Sequence, residues 1–397
     1  MPLAPGISAR LVTTMAVCCA LAVSTLYYHQ PLLPQMAASF GLAPTQVGLV
    51  ATLTQLGYAL GLLLIVPLAD SRQPRRLASL VVGANAVALL SCAVTPGFVL
   101  LCVSSFLVGV TAITAQIVIP VFAGLAAPDK RGQIVGTLLG GLSAGLLVAR
   151  TIGGLLGEQL GWRAVFAVAA LIDLVLLVMV ARRLPATTQI ISVGYSALLR
   201  SLVGLLKEER VLRFCAASGF FTFAAFSALW ATLAILLTPP PYSFGPAAIG
   251  LFGLATLPGI VVSPRIGAMV DRLGARAVAS AGTMTLVVGY ACITEAGSGL
   301  VWLIPAMMLL DLGNRASLMA NQSRVQALRA DARSRLNTVF MSAYFLGGAA
   351  GAALANYGVH RAGWLGLAAT GALLALAATA TNACSPRGSS PAIVSQH

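Results

Sequence analysis

Four charged side chains fall inside long apolar runs of this 397-residue chain: Asp311 and Arg315, four residues apart, and the isolated Arg150 and Asp173. Helix positions i and i+4 share a face one turn apart, so Asp311 and Arg315 can form an ion pair. A lone ion at the middle of a bilayer costs roughly 2.5–3.5 kcal/mol on insertion scales, so charges at such positions face the interior of a bundle. A carboxylate beside a guanidinium stays ionised, and one that loses that partner can take up a proton. Asp311 is therefore the candidate proton carrier, with a permanent packing pair as the alternative. Helix rise places Arg150 and Asp173 at depths differing by about 6–9 Å, which a long arginine side chain spans, so a second pair is expected. Arg150 is also suited to bind an anionic substrate directly.

Seven polar or aromatic residues stand at similar depths: Gln55, Tyr58, Thr114, Gln116, Phe223, Trp230 and Asn314. Each alone can be packing. Buried amides need partners at low dielectric, so a cluster of them among charges favours a wet substrate cavity over a dry core. Tyr28, His29 and Gln30 come near the end of their apolar run, where aromatic residues commonly anchor a helix at the interface.

The elements that must position these groups follow from composition. With 58% hydrophobic and 9% charged residues, the chain carries more apolar surface than an aqueous core absorbs. A bilayer crossing needs about 20 helical residues, and twelve crossings use about 240–260. The apolar stretches read as spans at 11–31, 46–68, 77–95, 98–121, 134–156, 163–182, 213–237, 247–268, 277–294, 300–320, 337–356 and 363–382. The expected fold is an all-α membrane protein, twelve transmembrane helices in two six-helix bundles related by pseudo-twofold symmetry. The first bundle covers 1–183, a cytoplasmic amphipathic linker 184–212, and the second bundle with a short tail 213–397. The N-terminal run, although it resembles a signal peptide, is expected to remain as the first helix.

A net charge of +14 would suggest nucleic acid in a soluble chain, but about 20 of the 24 basic residues fall on one side of this topology. Both termini are therefore expected in the cytoplasm, and no nucleic-acid partner is. The seven cysteines follow no disulfide pattern. In the linker, Tyr195, Leu198, Leu202, Leu205 and Leu206 at helical spacing predict a short helix lying on the inner membrane surface.

The halves repeat: Asp70 and Asp271 are 201 residues apart, while Arg131 and Arg333, and Trp162 and Trp364, are 202 apart. Such duplication suits two bundles rocking about a site between them. Glycines at 136, 140, 141, 145, 153 and 154, and again at 347, 348 and 351, are expected to form sliding surfaces between the halves, with tight static packing as the alternative.

The stretch Gly267-Ala268-Met269-Val270-Asp271-Arg272-Leu273-Gly274-Ala275-Arg276 resembles the signature of the major facilitator superfamily between the second and third helices of a half. The first half keeps Asp70, Arg75 and Arg76 but has Val66, Ser71 and Gln73 at the other motif positions. Physically, the carboxylate ends a helix while arginines just beyond can bond it and a neighbouring helix's carbonyls, which makes a cytoplasmic gate. Asp129 with Arg131 and Asp331 with Arg333 make analogous turns. The phrases Tyr27 to Pro34, Thr54 to Tyr58, Asp311 to Gly313 and Ala320 to Gln322 are similar to the bacterial drug and sugar efflux branch, which exchanges substrates for protons. Two positions depart from that branch. Ser105 stands where its helix-4 motif has an arginine, and Arg150 replaces the proline of its helix-5 motif.

With no Walker loop, no metal-ligand cluster and only His29, His360 and His397, the sequence predicts no catalytic residues, cofactor or metal. The expectation is a monomeric, proton-coupled exporter of a small molecule in the bacterial inner membrane, with protons and lipid as its other partners. A uniporter or importer is the alternative. From another class, a non-transporting receptor would bind without flux, and an intramembrane enzyme would need paired catalytic groups.

Overall fold

Long apolar runs without water to satisfy their backbone must be helical, and proline and glycine decide where each helix stops. The computed structural model describes residues 8–127, 130–185, 194–329 and 332–386, the side chain of Asp70 excepted. Asp129, Asp331, the Asp70 carboxylate and linker positions 186–193 lie outside the described residues.

In chain order the helices are α1 (Ala9–Ser24), α2 (Leu33–Phe40), α3 (Pro44–Leu64), α4 (Leu68–Ser71), α5 (Pro74–Val94), α6 (Phe98–Thr111), α7 (Thr114–Leu125) and α8 (Arg131–Leu160). There follow α9 (Trp162–Arg183), α10 (Tyr195–Glu208), α11 (Arg210–Leu237), α12 (Pro246–Leu251), α13 (Leu257–Leu273), α14 (Ala275–Ile293), α15 (Leu300–Leu328) and α16 (Arg333–Cys384). Among the described residues nine helical stretches are long and apolar enough to cross a membrane. One of these, α16, turns at Ala362 and Gly363, where the backbone leaves helical angles, and Gly358 and Gly366 meet backbone to backbone across the turn. Counting its two arms separately and adding α1 and α15 provides a helical segment for each apolar stretch of the sequence.

The first span differs from the unbroken 11–31 that its hydropathy predicts. α1 stops at Ser24, and turns lead to a 3-10 segment at Gln30–Leu32 before α2 begins. Pro31 and Pro34 lack backbone N–H groups, so neither can donate to a helical hydrogen bond across this stretch. The eighth span is broken likewise, with a 3-10 segment at Phe252–Thr256 ahead of Pro258.

The duplication seen in sequence recurs as contacts. Cβ atoms built on Gly141 and Gly145 of α8 would strike the carbonyls of Ala16 and Ala20 on α1. Gly347 and Gly351 of α16 stand in the same relation to Phe220 and Ala224 on α11. Phe40 packs on Trp162 at 5.9 Å between ring centroids, and Tyr242 on Trp364 at 6.4 Å. Arg75 Nε donates to the Ala181 carbonyl at the end of α9, and Arg276 donates to Ala383 near the end of α16 at 2.5 Å. Four of the glycines expected to slide between halves are thus seams inside one half, where the missing side chain lets backbones meet. Gly154 does cross to the other half, against Pro246 and Gly250, while Gly348 makes room chiefly for Phe223 of its own half, with Gln55 in ordinary contact.

The halves meet where α3 packs along α16 and α8 against α12. Glu158 Oε2 accepts from the Ala247 amide at 2.8 Å, joining α8 to the start of α12. The linker helix α10 buries Leu198, Leu202 and Leu205, the last two in a cluster with Leu212, Cys215, Leu336 and Phe340. Those three leucines of the stripe cover protein while Tyr195 and Leu206 stay exposed, and the Tyr195 hydroxyl donates to the Leu64 carbonyl of α3 at 2.7 Å.

Candidate functional site

The proline break after α1 lets Gln30 turn inward, and what it meets is Arg150. The Arg150 Nε donates to Gln30 Oε1 at 2.7 Å. The guanidinium carbon lies 3.6 Å from the ring centroid of Trp230 and 5.1 Å from that of Tyr27. Arg150 is 2% exposed, and its Nη2 has no hydrogen-bond partner.

From Trp230 an aromatic band continues through Phe226 at 6.4 Å and Phe223 at 5.9 Å. Phe223 stacks on Tyr344 at 4.2 Å and meets Phe345 edge-on at 5.0 Å, and Phe345 reaches Tyr58 of the first half at 4.4 Å. Amides pin its polar tips. Gln116 Nε2 donates to the Tyr58 oxygen at 3.3 Å, and the Tyr344 hydroxyl donates to Asn314 Oδ1 at 2.8 Å. Gln55 is buried with Oε1 unpartnered, and Thr114 is buried at the start of α7.

Asn314 leads along α15 to the ion pair. Arg315 Nε donates to Asp311 Oδ2 at 2.7 Å, with the Asp311 side chain 4% and that of Arg315 18% exposed. The space for this pair exists because α13 presents Gly259 to it: a Cβ there would collide with Asp311 Oδ2 and crowd Arg315. Further along α15, Asn321 Nδ2 donates to Ser218 Oγ at 3.0 Å, and Ser317 bonds Thr222 at 3.0 Å, tying α15 to α11.

The expected second pair does not form. Asp173 is buried on α9 with Oδ1 unpartnered, while Arg150 turns to Gln30 and the aromatic faces. Similar depth does not bring two side chains together when their helices point them into different clefts. The interfacial anchoring expected for Tyr28, His29 and Gln30 is also overturned, because all three are buried, at 7%, 3% and 5% exposure. At the motif, Asp271 and Arg272 are exposed, and Asp271 makes no ion pair among the described residues. Gly267 lies against Met319, Gly274 takes φ +85° between α13 and α14, and Arg76 is exposed. The arginines that hold carbonyls, Arg75 and Arg276, do so within their own halves.

Residues 14–239 match the Major Facilitator Superfamily. The chain belongs to that superfamily. It is 36% identical over 370 residues to the transporter YgaY of Escherichia coli (strain K12), covering 93% of this chain and 94% of the relative. To the transporter SCO4007 of Streptomyces coelicolor it is 34% identical over 379 residues, with 95% and 88% covered. Over 255 residues it is 27% identical to the class D tetracycline resistance protein of Salmonella ordonez, covering 61% and 62%. Among solved structures, the nucleoside transporter NupG superimposes with a TM-score of 0.75 at 13% identity, covering 94% of this chain and 99% of that one. The protein is a multi-pass membrane transporter with the superfamily's all-α fold.

For this superfamily member, the sequence pattern points to the charges and to Tyr58, Phe223 and Trp230 of the band, but not to Phe226, Tyr344, Phe345, the Tyr27 contact with Arg150 or Gly259. Tyr344 and Phe345 lie four and three residues before Gly348 on a glycine-marked helix, a usable signal. Gly259 offered none, since its role depends on what α15 places opposite.

Proposed function

We propose that this chain is a secondary active transporter exporting a small molecule across the bacterial inner membrane in exchange for protons. The observation that carries the reading is the Asp311–Arg315 pair, buried at 2.7 Å between α15 and Gly259 of α13. Two six-helix units, 1–183 and 213–397, joined by the linker 184–212, would rock about the aromatic band with both termini cytoplasmic, the monomer being sufficient. When α13 moves away, Arg315 would gain room to release Asp311, and the freed carboxylate would take a proton. Asp271, without an ion partner among the described residues, and the Glu158–Ala247 contact at the opposite end suit a form open toward the motif. The likeness to a tetracycline resistance protein supports the export direction.

Everted vesicles holding the protein, energised and followed with acridine orange, test the coupling. Addition of a panel of sugars, amino acids, cationic drugs and organic acids should give fluorescence recovery with at least one compound, abolished in Asp311→Asn. Recovery that survives the substitution would move the proton site to Asp173. No recovery, with a panel compound shown to bind, favours a uniporter or importer. That second reading has its own observation: Ser105, at the efflux branch's arginine position, is buried with its hydroxyl unpartnered.

A further inference from the structure

We infer that Arg150 is the recognition site for the carboxylate of a small organic monoanion, so that the transported substrate is an acid with an apolar body. The inference takes from the proposed function only the location of the site in a transport pathway. A buried guanidinium ordinarily meets a carboxylate, because neither neutral amides nor aromatic faces return the hydration that burial removes. Arg150 makes no ion pair among the described residues: it donates to the Gln30 amide and lies against Trp230 and Tyr27, with Asp311, Arg315 and His29 in electrostatic reach but not in contact, and Nη2 is a donor with no acceptor.

The chain's own carboxylates are committed or turned away. Asp311 is held by Arg315, Glu158 accepts from the Ala247 amide, and Asp173 makes no bond to Arg150. Beside the guanidinium lies a cavity of about 10 Å³ lined by Gln30, Arg150, Trp230, Ile249 and Gly250. That is room for about one oxygen-sized group. Trp230 covers a face of the guanidinium, so an acceptor must arrive in its plane, as a carboxylate does. Arg150 and Arg315 have one carboxylate, Asp311, between them, so one positive charge is left over and matches a monoanion, while Trp230, Leu233, Ala234 and Ile249 of the lining offer an apolar wall for the rest of the molecule rather than for an inorganic ion.

The test is equilibrium binding to the full-length protein in nanodiscs, with no gradient, using benzoate and 1-naphthoate, their uncharged amides, and tetraphenylphosphonium as a cationic control. Both carboxylates should bind saturably. The amides should bind about 10- to 100-fold more weakly, the range expected for losing a charge-assisted bond to a buried donor. Tetraphenylphosphonium should not compete. Arg150→Gln should lose the same factor, and Arg150→Lys should retain part of it. Amides binding as well as carboxylates, no binding by either carboxylate, or unchanged affinity in Arg150→Gln would overturn the proposal. The carboxylate-to-amide comparison uses unaltered protein and decides the matter even if a variant fails to fold. Because no proton gradient enters, benzoate binding that persists in Asp311→Asn separates this inference from the coupling mechanism: either can fail while the other stands.

Discussion

Arg315 and Arg150 lie in the same aromatic-lined interior, yet one has a carboxylate at 2.7 Å and the other has an amide, two aromatic rings and a spare N–H. The Arg315 site is neutral by itself, so it stays closed until a helix moves. The Arg150 site has no ion partner of its own among the described residues, which is why an anion from outside the chain is proposed to complete it. On the proposed reading, two cations of equal formal charge do different work, one holding and releasing an internal carboxylate and the other receiving an external one.

The difference should be largest when each site loses its charge. Arg315→Ala strands Asp311 in the interior, and loss of one partner of a buried pair costs about 3–5 kcal/mol. Adding Asp311→Asn should restore most of the thermal unfolding midpoint. Replacing Arg150 and Gln30 together, as Arg150→Met with Gln30→Leu, should leave stability within about 1 kcal/mol of the parent or raise it, because both members of a polar contact leave together. Equal losses at the two sites would remove the distinction.

A smaller effect distinguishes the glycines beside them. Gly259→Ala drives a methyl into Asp311 Oδ2 and should cost about 1–3 kcal/mol in unfolding and weaken proton exchange in vesicles. Gly253→Ala meets Arg150 Cβ at 3.4 Å, an ordinary contact, and should change stability by less than about 0.5 kcal/mol. A further small effect concerns the contact of Glu158 with α12, near the Arg150 cavity. Glu158→Gln weakens a charge-assisted bond to the Ala247 amide at an exposed helix start and should cost less than about 1 kcal/mol in unfolding, with the Asp311 site unaffected. A loss above 2 kcal/mol, on the scale of a buried pair, would mean that this contact holds the halves together rather than trimming their equilibrium.

Much of this was legible beforehand, for reasons that differ by residue. Asp311 and Arg315 could be paired on paper because a helix fixes the geometry of i and i+4. Arg150 and Asp173 could not, because their meeting depends on the rotation of two helices about their axes, which hydropathy does not encode. The glycines of α8 were visible as close-approach positions, but whether they faced α1 or the other half was not. Gln30 was visible as a residue near the end of a span. Its turn toward Arg150 follows from the break before Pro31 together with the placement of α8.

By itself the sequence determined that the chain crosses a membrane repeatedly, that it is internally duplicated, that it resembles the superfamily to which it belongs, and which few charges must be enclosed. Those conclusions rest on composition, helix periodicity and the cost of ions in hydrocarbon, all of which are local or additive along the chain. Tertiary structure alone decided which charges are paired, that Arg150 is left with a free donor, and which glycine makes room for an ion pair. Each of those depends on two or more helices being set against one another at side-chain resolution, where a shift of one methyl group separates contact from collision.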